Sequence, residues 1–205
     1  MEQIKSLADV VIADPRSSLW EMVNRQTGKR RSITLEDHHG RFSRVRVNED
    51  VPEEVQNGIA IASNLYIYSW FVYSFGPVAE LQCLATLELA LRHRSAKSDL
   101  SKWPRFRDLF SDAVEQGLLV DAGLPPEPVS LQPIDEREDH REGHASAAEG
   151  FQDPQQRVRH LANSLPDWRN TMAHGAFMLF PPGNYLLVLV LELINQLWPK
   201  RASSS

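Results

Sequence analysis

The strongest constraint on the fold is the stretch 55–79, which contains no charged side chain. As a helix it would be long enough to cross a bilayer. However, asparagines, serines and tyrosines are scattered through it, Gly76-Pro77 interrupts it, and Glu54 and Glu80 flank it in place of the Lys and Arg that usually border a membrane span. We therefore expect these residues to be buried in a bundle of helices, with no membrane segment.

Apolar residues recur at spacings of three and four over most of the remaining chain, and this period is typical of amphipathic helices. The expected helices lie near 52–74, 78–95, 105–117, 155–173 and 184–198. We therefore predict an all-α protein whose up-and-down helical bundle occupies 52–198, with an N-terminal extension of short helices over 1–51 and a frayed tail over 199–205.

The N-terminal extension contains one pattern that predicts strands. Residues 32–35 and 42–47 flank the sequence Glu-Asp-His-His-Gly, and the side chains of the second run alternate in character. This pattern predicts a small β-hairpin, although the alternation would suit a solvated face or an arm equally well. His38 and His39 are adjacent, but no third ligand lies at a metal-binding spacing, so we expect a loop rather than a metal site.

The composition changes over 121–153, where proline, acidic and small residues replace the apolar period. Nine acidic and two basic side chains lie there, so the remainder of a chain with a net charge of -5 carries a net +2. We expect a solvated and mostly disordered insertion. The charge of the folded part then does not argue against an RNA partner.

Cys83 is the only cysteine. A chain with one cysteine forms no internal disulfide and no zinc site built from cysteines. The first residues are mixed and partly charged, and they lack the pattern of a secretory signal. We therefore expect the protein in the reducing cytoplasm.

Several common catalytic motifs are absent from the sequence. It has no Gly-rich phosphate loop, no dinucleotide-binding glycine pattern, no Cys/His zinc spacing and no Gly-x-Ser-x-Gly elbow. These absences exclude the Rossmann, P-loop, zinc and α/β-hydrolase classes, and we expect no cofactor.

The stretch 165–175 (Leu-Pro-Asp-Trp-Arg-Asn-Thr-Met-Ala-His-Gly) carries the candidate site. Pro166 fits the first turn of a short helix with Ser164 or Leu165 as its cap. Gly175 fits the left-handed residue that ends such a helix. The stretch therefore predicts a short helix that ends at the glycine.

Three side chains of this helix, Arg169, Asn170 and His174, are the candidate catalytic residues. A permanently charged guanidinium, an amide and an imidazole are a plausible set for cleaving a phosphodiester. Arg169 and His174 are about 140° apart on an ideal helix, so a shared site requires the helix to loosen near Gly175. The simpler interpretation is that the histidine bonds free carbonyls at the helix end while the arginine is solvated or paired with a carboxylate.

The run Arg169-Asn170-x-x-x-His174 resembles the Arg-x(4 to 6)-His signature of the HEPN superfamily of small helical domains, in which a polar residue commonly follows the arginine. Residues 87–94 (Leu-Glu-Leu-Ala-Leu-Arg-His-Arg) are similar to the Glu-x-x-Leu-Arg helix of HEPN-like proteins from abortive-infection and toxin–antitoxin systems. Together the two segments imply a HEPN-like bundle over roughly 52–198.

The resemblance implies a metal-independent endoribonuclease that cleaves RNA by attack of the 2'-hydroxyl on the adjacent phosphate. His174 would be the general acid or base, Arg169 would hold the phosphate, and Asn170 would orient one of these groups. HEPN nucleases usually act as dimers, so a homodimer is implied. The alternative is a non-catalytic HEPN module that binds a protein or a nucleotide, with a nucleotidyltransferase-like antitoxin as a candidate partner.

Glu88 and Arg92, in the upstream segment, are candidate accessory residues. Glu88 lies on the broad apolar side of its predicted helix, where it either faces the bundle or sits at its rim. An ion pair with Arg92, four residues later, is the simpler interpretation, and we favour it over a direct catalytic role.

The chain that follows is basic and supplies candidates for binding RNA. These are Arg94, Lys97, Lys102 and Arg105. Trp103 and Phe106 are interleaved with them, and basic residues with aromatic ones can track phosphates and stack on bases. The aromatic residues can equally be core anchors, with the charges merely solvated.

Overall fold

The computed structural model describes residues 4–24, 26–95, 104–126, 153–175 and 184–200. In chain order the elements are a 3-10 helix (Pro15–Leu19), β1 (Glu21–Val23), β2 (Arg30–Ser32), α1 (Leu35–Ser43), α2 (Glu53–Tyr68), α3 (Phe75–Arg94), α4 (Phe106–Glu115), α5 (Gln156–Ala173) and α6 (Tyr185–Leu197). The predicted all-α class, with a small hairpin near the N-terminus, is confirmed.

The hairpin lies elsewhere than the sequence pattern indicated. β1 pairs antiparallel with β2, and Val23 lies opposite Arg30. The predicted pairing of 32–35 with 42–47 is wrong, because the residues between and within these runs form the helix α1. The alternation in the second run therefore did not reflect a strand.

Local hydrogen bonds explain why α1 is a helix. The hydroxyl of Thr34 accepts a bond from the Asp37 N–H (3.3 Å), and the Asp37 carboxylate accepts one from the Thr34 N–H (3.0 Å), which together start the helix. Two buried residues, His38 and Phe42, are four positions apart and so share the face that packs inward. His38 and His39 thus lie in a helix, and the predicted loop is wrong.

α3 is the central helix, since it packs against α2, α4, α5 and α6. Cys83, Leu84, Leu87 and Leu91 are among its buried side chains, and none is more than 2% exposed. A helix that is apolar on several sides is stable only when other elements surround it. The position of α3 among these helices therefore determines how far each of its polar side chains is removed from water.

The uncharged stretch 55–79 is divided between two helices. α2 ends at Tyr68, earlier than predicted, and α3 begins at Phe75. Gly76 and Pro77 lie in the first turn of α3, where a proline removes no helical hydrogen bond. None of the helices in the described ranges is long and apolar enough to cross a membrane.

The helix predicted near 155–173 is present as α5, but it is continuous through Pro166. A separate helix that begins at this proline, with Ser164 or Leu165 as its cap, is therefore not formed. Leu165 and Met172 are buried on either side of the proline, and their packing keeps the helix in register across the hydrogen bond that proline removes.

Hydrogen bonds from outside the helix also fix the beginning of α5. The Asp121 carboxylate accepts bonds from the N–H groups of Arg157 (2.9 Å) and Val158 (2.8 Å), as a capping residue does. The sequence placed Asp121 in the disordered insertion 121–153, whereas it is part of the packed protein. Residues 127–152 lie outside the described residues.

Gly58 on α2 lies directly against α3. A Cβ atom added there would lie 2.5 Å from the hydroxyl oxygen of Thr86, which is 1% exposed. Gly40 in α1 is also helical, but a Cβ atom added there would meet only the end of Arg44, at 3.9 Å. The two glycines therefore form a matched pair, one crowded and one open.

We expect Gly58→Ala to lower the free energy of unfolding by about 1–3 kcal/mol, because overpacking outweighs the better helix propensity of alanine. Gly40→Ala should instead raise it by about 0.5–1 kcal/mol. Urea denaturation of both variants measures the difference. Equal effects at the two positions would contradict a close helix contact at Gly58.

Burial controls the ionisation of Glu80, near the start of α3. Its removal from water raises the pKa of the carboxyl to about 7, from an ordinary 4.5. The folded protein therefore keeps this proton at pH values where the unfolded chain has lost it. The stability that the protonated group contributes is complete below about pH 4.5 and is lost as the pH rises through about 7.

Glu80→Gln should consequently match the wild type below about pH 4 and exceed its free energy of unfolding by about 3 kcal/mol above pH 7.5. Urea denaturation at several pH values measures this. The exposed Glu49 supplies the control, because Glu49→Gln makes the same chemical change at a side chain that is open to water. A constant offset for Glu80→Gln over the whole range would count against a buried, protonated carboxyl.

Candidate active site

Glu88 on α3 holds two of the candidate arginines together. Its Oε1 accepts a hydrogen bond from Arg92 Nη2 at 2.5 Å, and its Oε2 lies 3.1 Å from Arg169 Nη2 on α5. The side chain of Glu88 is only 13% exposed, against 25% for Arg92 and 37% for Arg169. We refer to Glu88, Arg92 and Arg169 as the Glu88 cluster, which joins α3 to α5.

A further hydrogen bond orients Arg169. Its Nη1 donates to Oδ1 of the neighbouring Asn170 at 3.2 Å. The guanidinium is thus held by Glu88 at one nitrogen and by Asn170 at another, while more than a third of the side chain stays exposed. An oriented and partly exposed guanidinium is suited to bind an oxyanion.

The Glu88 cluster is suited to an anion rather than to a metal ion. Two guanidinium groups already surround its single carboxylate, so the cluster has a net charge of +1 and repels a metal cation. Elsewhere in the part of the chain that the structure describes, no three His, Cys, Asp or Glu side chains are grouped as metal ligands. The expected ligand of the cluster is therefore a phosphate or a carboxylate.

His174 follows the last residue of α5. Its N–H bonds to the carbonyl of Asn170 at 3.0 Å, and Gly175 then ends the helix with a φ of 83°. The left-handed glycine predicted from the sequence is confirmed. Because the helical hydrogen bond persists up to His174, its side chain and that of Arg169 leave the helix about 140° apart.

The structure accordingly separates His174 from the other candidates. Its ring is exposed, and within the described ranges no hydrogen bond joins it to Arg169, Asn170 or Glu88. The chain therefore brings together Arg92, Arg169, Asn170 and Glu88 and leaves the imidazole on another side of α5.

Two of the basic residues proposed to bind RNA, Arg94 and Arg105, lie in the part of the chain that the structure describes. Arg94 is exposed at the end of α3, with its guanidinium 5.8 Å from the ring centre of Trp198. Arg105 is exposed and immediately precedes α4. Lys97 and Lys102 lie outside the described residues. RNA binding by this segment stays a prediction.

Sequence reasoning missed a second contact of α5. Arg107 Nη2 on α4 lies 2.6 Å from Asp167 Oδ1 and donates to the carbonyl of Asn163 at 3.4 Å. These side chains are 45% and 68% exposed, so the ion pair contributes little to stability. Two exposed charges far apart in sequence give no signal that they meet.

The bond between Glu88 and Arg169 was also missed, but here a signal existed. Glu88 stands among the leucines of a helix that had to be mostly buried. A carboxylate in such a place needs more than one hydrogen-bond donor, because burial of an incompletely paired charge is costly. Arg92 is one source of such donors, and the need for several made a second cation, from another helix, a reasonable candidate.

We expect a double-mutant cycle with Glu88→Gln and Arg169→Gln to give a coupling free energy of about 1–2 kcal/mol, since Glu88 is largely removed from water while Arg169 remains partly screened. The exposed pair supplies the control. The same cycle with Arg107→Gln and Asp167→Asn should give at most about 0.5 kcal/mol. Urea denaturation measures both couplings, and equal values would contradict the structural importance of the Glu88 contact.

Comparisons with known proteins leave the site to be judged on its geometry. No family model matches the sequence, no curated protein matches it, and no solved structure matches the fold. The contact between Glu88 and Arg169 is therefore the firmest basis for a functional conclusion.

Proposed function

We propose that the protein is a metal-independent endoribonuclease of HEPN type, which cleaves RNA by attack of a 2'-hydroxyl on the adjacent phosphate. The contact between Glu88 and Arg169 is the observation that carries the proposal. It joins the two segments that resemble HEPN motifs, 87–94 and 169–175. Neither local sequence requires the two segments to meet, so their contact is support beyond the motifs themselves.

In this proposal Arg169 binds the scissile phosphate and stabilises the negative charge that develops on its oxygens in the transition state. Glu88 and Asn170 hold the guanidinium in place before the substrate arrives, which lowers the cost of orienting it. Arg92 adds a second positive charge next to it, and the net charge of the cluster attracts a polyanion.

His174 is the proposed general acid or base, which takes the proton of the 2'-hydroxyl or donates one to the departing 5'-oxygen. Because His174 and Arg169 leave α5 about 140° apart, one protomer does not present both to one phosphate. We therefore propose a homodimer in which His174 of each protomer approaches the partner's Arg169. Such a symmetric arrangement creates two composite sites.

The second candidate is a non-catalytic HEPN module that binds a protein or a nucleotide. One observation favours it, namely that Glu88 already neutralises Arg169, as in an ion pair that only stabilises a fold. In that case a nucleotidyltransferase-like antitoxin is a candidate partner, and the exposed side chains near the end of α5 would form part of the binding surface.

Purified protein should cut single-stranded RNA in the presence of EDTA and leave 2',3'-cyclic phosphate ends. Arg169→Ala and His174→Ala should each lower the rate by about 100-fold or more without unfolding the protein, as loss of a catalytic group does. His160 is also exposed on α5, so His160→Ala is the matched control and should retain the wild-type rate.

Mixing the two inactive variants tests the composite site. A heterodimer of Arg169→Ala and His174→Ala retains one intact pair of residues if each site is shared between protomers, so an equilibrated mixture should regain about a quarter of the wild-type rate. No regain would place both residues in one protomer. Loss of cleavage in EDTA would contradict the metal-independent mechanism, and a folded wild type that cuts no RNA would favour the binding module.

A further inference from the structure

The hairpin formed by β1 and β2 stands away from the bundle. Residues 21–24 and 26–32 are exposed, whereas Trp20 and Ile33 at the two ends of the hairpin are each only 7% exposed. Ile33 N donates to the carbonyl of Trp20 at 3.0 Å and closes the base. We refer to residues 21–32 as the N-terminal ribbon, which is fixed at its base and exposed along its described length.

Hydrogen bonds at the tip and at the side keep the ribbon in shape. Asn24 Oδ1 accepts bonds from the N–H groups of Gln26 (2.9 Å) and Thr27 (3.0 Å). The guanidinium of Arg31 binds both carboxylate oxygens of Asp37 on α1, at 2.5 and 2.9 Å. A two-stranded hairpin alone is only marginally stable. These contacts therefore hold the ribbon in one conformation before a partner binds.

The exposed charge of the ribbon is mainly positive. Among its described residues Lys29, Arg30 and Arg31 are basic, and Glu21 is the one acid. Arg30 and Glu21 lie 3.5 Å apart with side chains 71% and 50% exposed, so water screens their attraction and a stronger anion can replace it. With Arg31 bound to Asp37, Lys29 and Arg30 are the cations that the described residues of the ribbon offer to a partner.

We infer that the N-terminal ribbon binds the phosphate backbone of the RNA substrate through Lys29 and Arg30, an inference that rests on the proposed function. Charge complementarity selects this partner, because a polyanion is attracted to a row of exposed cations. An added protein strand is the competing occupant of an exposed strand edge. Charged side chains, especially Lys, oppose such pairing, and β2 with its flank carries three in succession.

The ribbon and the Glu88 cluster contact different parts of the substrate. Trp20 packs with Tyr73, just before α3, with ring centres 5.8 Å apart. Glu88 lies on the same helix at a distance of about 20 Å from its beginning, at 1.5 Å per residue. A single nucleotide cannot span such a distance, so only an RNA of several nucleotides can reach both sites.

Fluorescence anisotropy with a labelled single-stranded 20-mer tests the inference, with His174→Ala as the background so that the RNA stays intact. Lys29→Ala/Arg30→Ala should lower the affinity about tenfold and reduce the slope of log K against log salt by about 1.4, which corresponds to two phosphate contacts. Glu21→Gln should act in the opposite direction and tighten binding. Arg44→Ala/Lys200→Ala removes the same charge from exposed positions outside the ribbon and should leave the slope unchanged.

Cleavage kinetics with an active His174 give a second measurement. The ribbon variant should raise KM for the 20-mer at constant kcat, and it should leave cleavage of a dinucleotide, which is too short to reach the ribbon, unchanged. Unaltered affinity and slope in the ribbon variant would overturn the inference while RNA cleavage by the wild type still supports the proposed function. If the protein binds RNA through the ribbon but cuts no RNA, the proposed nuclease function is wrong and the RNA-binding role of the ribbon is supported.

Two further outcomes overturn the ribbon inference. If the wild-type protein binds no RNA at any salt concentration, both proposals fail together. If Lys29→Ala/Arg30→Ala changes the sedimentation coefficient and leaves RNA affinity intact, the ribbon pairs with a second copy of the chain. Thermal unfolding of each variant confirms that these comparisons are made between folded proteins.

Discussion

A carboxylate on the central helix of the bundle must be paired with cations, and this requirement organises the candidate site. Hydrophobic packing alone places α3 among four other helices. Glu88 then lies where water is scarce, and its charge is compensated by two guanidinium groups. One of them, Arg169, belongs to α5. The pairing of the Glu88 carboxylate therefore also determines where the candidate motif of α5 lies relative to α3.

Two carboxyl groups of α3 respond to burial in different ways. Glu88 is paired with arginines from two helices. For Glu80, two turns earlier, burial is the one resolved cause of its pKa shift, and it raises the pKa to about 7. The same helix therefore carries one acid bound into an ion-pair cluster and another that holds a proton over much of the acidic range. The position of each carboxyl group along α3 determines whether it is paired with cations or keeps its proton.

The sequence was informative where a local period determined the structure. The 3.6-residue pattern identified α3 to α6 because each of these helices buries an apolar face.

Sequence patterns failed at three places in the structure. Pro166 is a local signal for a helix start, but the buried Leu165 and Met172 continue the helix across it. The hairpin was misplaced for a local reason, because the capping box formed by Thr34 and Asp37, three residues apart, starts α1 and outweighs an apparent alternation. The bond between Glu88 and Arg169 joins residues far apart in sequence, so periodicity could not specify it.

The capping of α5 by Asp121 has a consequence for how the chain tolerates change. Asp121 N also donates to the carbonyl of Pro154 at 2.9 Å, so two residues far apart in sequence are held together where α5 begins. Closing a loop costs only about 0.6 kcal/mol more for each doubling of its length, so the free energy of this contact depends only weakly on the number of residues between Asp121 and Pro154. A change in the length of the chain between them should therefore leave the beginning of α5, and with it the position of Arg169, unaltered.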